Sequence, residues 1–258
     1  MRKTLVLMVA GFMIAGTAQA AHARSSSVTI SASRSTVELG QSVKLTGKVS
    51  PSAKKKRVKI QRRYEGGGWK TIKTVKLSSR SRYAYTVTPT RGGPTDYRVQ
   101  KPGSKGRSTT TSATRRVDVF RWRSLLDFPV TTPYTLVQGT RTIGGQTFPA
   151  SAALRGSDAT WTIGGGRCTT FRTSIGIDGT SSAGVAASPN QWWNNGLPGQ
   201  VQFQNNGQNA DLQAFQNPRS FTEPVPAGIS TYRLYPLSNG LGANDFVTLG
   251  TPQLRCNS

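Results

Sequence analysis

The chain has 258 residues, with 34 Lys and Arg against 10 Asp and Glu, a net charge of +24 and a single histidine. That histidine, His22, falls in an N-terminal tail, so Ser-His-Asp chemistry, Cys-His chemistry and a His-ligated zinc site are excluded. Two cysteines are too few for a cysteine-rich metal site.

In chain order, residues 1–20 have the form of a secretory signal. Arg2 and Lys3 make the charged start, Leu5 to Ala15 the apolar stretch, and Ala18-Gln19-Ala20 the small-residue cleavage site. The apolar run falls well short of the ~20 residues that span a bilayer. Cleavage leaves 238 residues. The expectation is a secreted, extracellular protein without membrane insertion, released or held at a cell surface non-covalently. In an oxidising compartment, Cys168 and Cys256 are expected to pair as one disulfide.

Composition changes near residue 120. Residues 21–120 hold 23 Lys and Arg against 4 acids, whereas residues 121–258 hold 9 Arg, no Lys and 6 acids. Two domains are expected, 21–119 and 120–258. The basic one is the place for electrostatic binding, the second for a neutral ligand.

The first domain alternates with period two. Val43, Leu45 and Val49 are expected inward and Lys44, Thr46 and Lys48 outward. Val58 and Ile60 alternate with Lys59 and Gln61, and Tyr83, Tyr85 and Val87 with Ala84 and Thr86. Turns fall at Leu39-Gly40, Ser50-Pro51, Gly66-Gly67-Gly68 and Gly92-Gly93-Pro94. About seven short strands predict an immunoglobulin-type sandwich, with Tyr97 at a tyrosine corner and Trp69 packing at a sheet edge. The segments Val28 to Ser33, Val37 to Pro51, Gln61-Arg62-Arg63, Gly68-Trp69 and Tyr85 to Pro89 resemble bacterial Ig-like domains, which serve as spacers and adhesive modules. Fold alone does not specify what such a domain binds.

The second domain is also read as all-β, its strands bounded by Gly139, Gly144-Gly145, Gly164-Gly165-Gly166, Pro198-Gly199 and Asn206-Gly207. The opening Arg121 to Asp127, the run Trp161 to Gly179 with Phe171-Arg172-Thr173-Ser174-Ile175-Gly176-Ile177-Asp178 at its centre, Gln200 to Gly207, Asn244-Asp245-Phe246 and Gln253 to Cys256 resemble the NPCBM-type carbohydrate-binding module found beside family 98 glycosyl hydrolases. The resemblance implies a galactose-binding-like jelly-roll sandwich with a cysteine closing the last strand. The sequence departs from the family at Asn205-Asn206-Gly207, at Phe246 and in an extra loop over residues 188–199.

Sugar recognition needs flat aromatic faces and fixed polar groups. The stretch Asn190-Gln191-Trp192-Trp193-Asn194-Asn195 offers both, read either as a sugar platform or as one tryptophan plugging the sandwich and one exposed. The candidate carbohydrate ligands are therefore Trp192, Trp193, Asn194, Asn195 and Asp245, whereas Trp122 and Trp161 are expected in the core. Asp178 is read as a turn former before Gly179. The alternative for Asp178 and Asp245 is a hydrogen bond to sugar or a structural calcium, with no other cofactor expected. Six scattered acids offer no glycosidase pair, so no enzyme is expected.

Lys54, Lys55, Lys56 and Arg57, extended by Lys59, Arg62 and Arg63, form the strongest charge run, a candidate for attraction to anionic polymers without nucleic-acid specificity. The sequence reading is a secreted, non-catalytic protein binding a carbohydrate or cell-wall glycan, with an adhesive protein that binds a protein partner, or a glycosidase-associated fragment, as alternatives.

Overall fold

Alternation of apolar and cationic residues dictates strands with one wet and one dry face, and the computed structural model shows them. It describes residues 26–51, 53, 56–104, 108–131, 136–155, 158–165, 167–179, 186–194, 201–203, 212–238 and 246–258. The first ten strands are β1 (Ser27–Val28), β2 (Ser31–Ala32), β3 (Thr36–Glu38), β4 (Val43–Ser50), β5 (Arg57–Tyr64), β6 (Lys70–Lys76), β7 (Arg82–Val87), β8 (Gly93–Lys101), β9 (Thr110–Thr111) and β10 (Arg115–Ser124). In one layer β4 pairs with β1, β2 and β7. In the other the order is β10-β8-β5-β6, with β9 on β8 and β3 parallel to β10. Val43, Leu45, Val49, Val58, Ile60, Val99, Val117 and Val119 fill the space between them and are fully buried.

Two expectations about this sandwich are corrected. Gln61 is not open to water: it lies opposite Arg98 of β8 on the outer face and is covered there. There its Oε1 accepts from Arg98 Nε at 2.8 Å and its Nε2 donates to Thr71. Tyr97 is not a tyrosine corner, since it is buried in mid-β8 and its hydroxyl finds no partner among the described residues. The long-range hydroxyl-to-backbone bond is made by Tyr83, which donates to the Thr29 carbonyl at 2.6 Å. Gly47 permits it, because a Cβ there would stand 2.0 Å from that carbonyl oxygen.

The second unit follows a short 3-10 turn at Leu125–Asp127. Its strands are β11 (Val130–Thr131), β12 (Leu136–Ile143), β13 (Gln146–Leu154), β14 (Ala159–Thr162), β15 (Cys168–Ile177), β16 (Ala186–Asn194), β17 (Val201–Phe203), β18 (Leu212–Gln213), β19 (Arg219–Pro224), β20 (Thr231–Ser238) and β21 (Val247–Cys256). One layer runs β12-β13-β21-β15-β19 and the other β11-β14-β20-β16-β17, with β18 on β16. No α-helix occurs among the described residues, and the fold is all-β, as expected. The core is aromatic at its centre. The Tyr232 ring lies 4.8 Å from Phe171 and 4.7 Å from Trp193, centroid to centroid, and Trp161 lies 5.8 Å away. Cys168 and Cys256 are bonded as a disulfide across the paired strands β15 and β21, as the cysteine count suggests.

The two units share β10. Val119 pairs with Gly93 of β8, and Phe120 with Glu38 of β3. The next residue, Arg121, already pairs with Cys256 of β21. Beside this strand, Glu38 accepts from Arg255 and Glu65 forms a two-bond ion pair with Arg167. Two of the four acids of the basic unit are thereby engaged by arginines of the other.

Candidate functional site

The tryptophan pair is not in a loop. Residues 190–194 belong to β16, bonded through Trp192 and Trp193 to β17 on one side and β20 on the other. Alternation along a strand sends neighbouring side chains to opposite faces. Trp193 takes the inner face, fully buried against Phe171 and Tyr232, so it is core and not a sugar platform. Asn195 and Asp245 lie outside the described residues, as do the side chains of Trp192 and Asn194.

Asp178 is not simply a turn former. It is buried, its Oδ2 accepts from Arg141 Nη1 at 3.0 Å, and its N–H donates to the Phe246 carbonyl. The Arg141 guanidinium also lies 5.1 Å from the Phe246 ring centre. A calcium ion here would meet a guanidinium on the carboxylate it needs, so the described residues do not fit calcium. Among the described residues no group of three or more His, Cys, Asp or Glu is placed to hold a metal.

A cleft of about 380 Å³ opens on the outer face of the β13-β21-β15-β19 layer. Phe148 and Phe221 line it together with Arg172, Ser174, Ser220, Thr222, Thr251 and Gln253, and no carboxylate. A bulge makes it. Between Gly250 and Gln253, β21 carries one residue more than the facing stretch of β15, and Thr251 adopts φ +48°. That conformation is costly for a β-branched residue, and such bulges re-aim side chains. Thr173 holds the bulge by donating to the Gly250 carbonyl at 3.1 Å. Gly250 has no side chain where the Phe148 ring lies on it; a Cβ would come within 2.6 Å of ring atoms.

Arg172 is set before any ligand arrives. Its Nε and Nη2 both donate to Gln253 Oε1, at 2.8 and 2.6 Å, and its guanidinium lies 3.9 Å over the Trp122 ring. Trp122 is therefore half-buried on the outer face beneath an arginine, not in the core as expected; Trp161 is fully buried. Ser174 and Ser220 share a hydroxyl hydrogen bond of 2.7 Å. An aromatic edge, hydroxyls and one fixed guanidinium suit a polyhydroxylated neutral ligand. Sequence reading missed the cleft because Ser, Thr and Gln on alternating strand positions look like an ordinary wet face. The one local signal was Thr251-Pro252 inside a strand, where proline marks an edge or a bulge.

The basic run divides. Lys54 and Lys55 lie outside the described residues, while Lys56, Arg57 and Lys59 are exposed. Arg62 lies over Tyr64 at 4.4 Å, and Arg63 is ion-paired with Asp96 at 2.8 Å and stacked on Trp69 at 4.7 Å. Arg98 covers the same indole at 4.2 Å, so Trp69 is a packing residue, as read from sequence. The seven residues are thus not one free cationic surface: Arg63 already has its counter-charge.

No protein-family model matches the chain, and no curated protein matches it. Three solved structures are similar to it in part. The CBM51 of a Clostridium perfringens GH95 in complex with methyl-galactose shares 14% identity over 52% of this chain and 99% of that one, with a TM-score of 0.39. The CBM51-2 and INT domains of Clostridium perfringens ZmpB share 12% over 64% of this chain and 38% of that one, at 0.41. The tandem CBM51 modules of the Streptococcus pneumoniae Sp3GH98 share 11% over 83% and 81%, at 0.37. At these identities and TM-scores the likeness is too remote to assign a ligand or a family.

Proposed function

We propose that the protein is a secreted, non-catalytic carbohydrate-binding protein. Its second unit takes a neutral sugar in the outer-face cleft, and its basic, immunoglobulin-like first unit adds electrostatic attachment to anionic cell-surface polymers. The observation that carries the reading is Arg172, fixed between Trp122 and Gln253 at the mouth of a cleft lined with phenylalanines and hydroxyls. A guanidinium already held in place loses little freedom when it meets sugar hydroxyls. The sequence resemblance of residues 120–256 to the NPCBM-type module supports the same ligand class. Three of the six acids in this unit offer no free pair for hydrolysis: Asp178 is paired with Arg141, Asp158 with Arg233, and Glu223 is buried.

The test is a glycan array on the mature chain beside its Arg172→Ala and Thr222→Trp variants. Neutral glycan signals should be present for the parent and lost when the cleft is emptied of its cation or filled by an indole. Binding that survives both substitutions would move the site away from this face, and turnover of any glycan removed by one carboxylate substitution would make the protein an enzyme.

A further inference from the structure

A second cleft, of about 750 Å³, lies on the outer face of β4 and β7 where the end of β6 folds beside them. We infer that it is a binding groove for a linear polysaccharide carrying carboxylate or sulfate groups, with Lys44, Lys48, Lys76 and Arg82 as its cations. The inference rests on the electrostatic half of the proposed function and gives that half a site, one different from the Lys54–Arg63 run.

Strand register assembles these charges. Lys44 and Lys48 leave the same strand four residues apart, about 14 Å along the groove at ~3.4 Å per residue. Lys48 stands directly opposite Arg82, and Lys76 directly opposite Arg57. Like charges facing each other across a ladder destabilise a sheet, and a neighbouring carboxylate would offset them. None lines this cleft. Of the four acids in the unit, Glu38 is paired with Arg255, Glu65 with Arg167, and Asp96 with Arg63 and Arg116; Asp118 lies in β10, opposite Pro94. No side chain lining the cleft offsets these exposed cations, which leaves them available to an anionic ligand.

The chemistry of that ligand follows from what else lines the groove. Single-stranded nucleic acids are gripped by aromatic faces on which bases stack. The one aromatic here, Tyr83, is buried, and its hydroxyl is committed to the Thr29 carbonyl. Three of the four cations are lysines, point charges on flexible stems that follow irregularly spaced anions without demanding planar, two-pronged geometry. Thr46 adds a neutral hydroxyl beside them. This fits a flexible acidic sugar chain better than a base-bearing one.

The experiment uses the mature full chain and measures binding of fluorescent heparin and of polygalacturonate from about 0.05 to about 0.3 M salt. It compares the parent with K44Q/K48Q/K76Q/R82Q and with K54Q/K55Q/K56Q. Lys44, Lys48, Lys56, Lys76 and Arg82 lie outside both hydrophobic cores, and a matched thermal melt verifies folding of both variants. The cleft variant should lose about tenfold or more in affinity and show a flatter salt response, while the run variant should lose less than about threefold. Equal binding by the cleft variant, or a larger loss in the run variant, overturns the site while leaving electrostatic attachment standing. A parent that binds neither polymer at low salt overturns both. An oligo-dT of matched charge that binds the parent as tightly, and is lost in the cleft variant, overturns the polysaccharide assignment. Heparin binding without polygalacturonate binding supports the groove with sulfate as its anion, and the converse supports it with carboxylate.

Discussion

Arg172 and Gln253 face each other across β15 and β21, and one side-chain oxygen of Gln253 receives both Nε–H and Nη2–H of the arginine. The amide thereby fixes the guanidinium on the Trp122 ring. Removing the amide while keeping the arginine should loosen Arg172 without unfolding the sheet. Gln253→Ala should weaken glycan binding by about five- to twentyfold, or roughly 1–2 kcal/mol, toward the lower end of what hydrogen bonds to a charged group contribute, as befits an exposed pair. Gln253→Glu, which keeps an acceptor, should recover most of it. Titration calorimetry reads both, and equal affinities across the three proteins would remove Gln253 from a positioning role.

Gly250 offers a sharper probe of the cleft wall. A Cβ at this position would overlap the Phe148 ring, so Gly250→Ala should push the ring into the cleft. The expected result is loss of glycan binding with a stability penalty of about 1–3 kcal/mol, the usual cost of overpacking. Gly250→Ala combined with Phe148→Leu should restore stability without restoring affinity, as judged by chemical denaturation and binding measured together.

Trp193 belongs to the core and should behave accordingly. Trp193→Ala should destabilise the protein by about 3–5 kcal/mol through the cavity it leaves beside Phe171 and Tyr232. Trp193→Phe should cost less and leave glycan affinity unchanged. A Phe variant that is stable but no longer binds sugar would return this indole to the site.

The Cys168–Cys256 disulfide closes a separation of 88 residues. In the chain-entropy account such a loop contributes about 4 kcal/mol, so reduction should lower the melting temperature by on the order of 10 °C. Thiol titration of the denatured, unreduced protein should find none. Calorimetry with and without reductant measures the difference.

Alkaline pH should unfold the protein through its buried phenols. Burial pushes Tyr97 up to about 12 despite the lowering effect of Arg62, and raises Tyr83 and Tyr232 as well, with Glu223 adding to the rise at Tyr232. The unfolded phenols ionise near 10, so the folded state holds more protons above that pH and stability falls as pH rises. Below pH 10 these three groups contribute no slope. Absorbance at tyrosinate wavelengths should therefore rise in two stages, the second coinciding with loss of the circular dichroism signal. A single smooth titration with the fold intact would contradict this.

Strand pattern was legible wherever one face is wet. Val43, Leu45 and Val49 alternate with Lys44, Thr46 and Lys48 in sequence, and the structure buries and exposes them in that order. Pattern misled wherever a bulge intervened, because one added residue reverses every later side chain. Thr251-Pro252 in this way opened a cleft among residues that read as a plain polar surface. Trp193 was misplaced for another reason: Asn and Gln neighbours suggested a loop, but pairing with β17 and β20 decides its state. Nearness in sequence ignores pairing: Arg63, at the end of the charge run, is held by Asp96. Lys48 and Arg82, 34 positions apart, become neighbours only through register.

The strand common to both units also determines how the molecule carries load. Phe120 is bonded into one sandwich and Arg121 into the other, with no intervening residue to uncoil. Were both proposed ligands bound, tension between them would pass through β10. The Glu38–Arg255 and Glu65–Arg167 pairs brace the same junction against bending. The continuous strand and the two ion pairs limit how far the separation of the two clefts can vary. A surface presenting acidic chains and neutral sugars at that separation would be gripped with an avidity neither contact has alone.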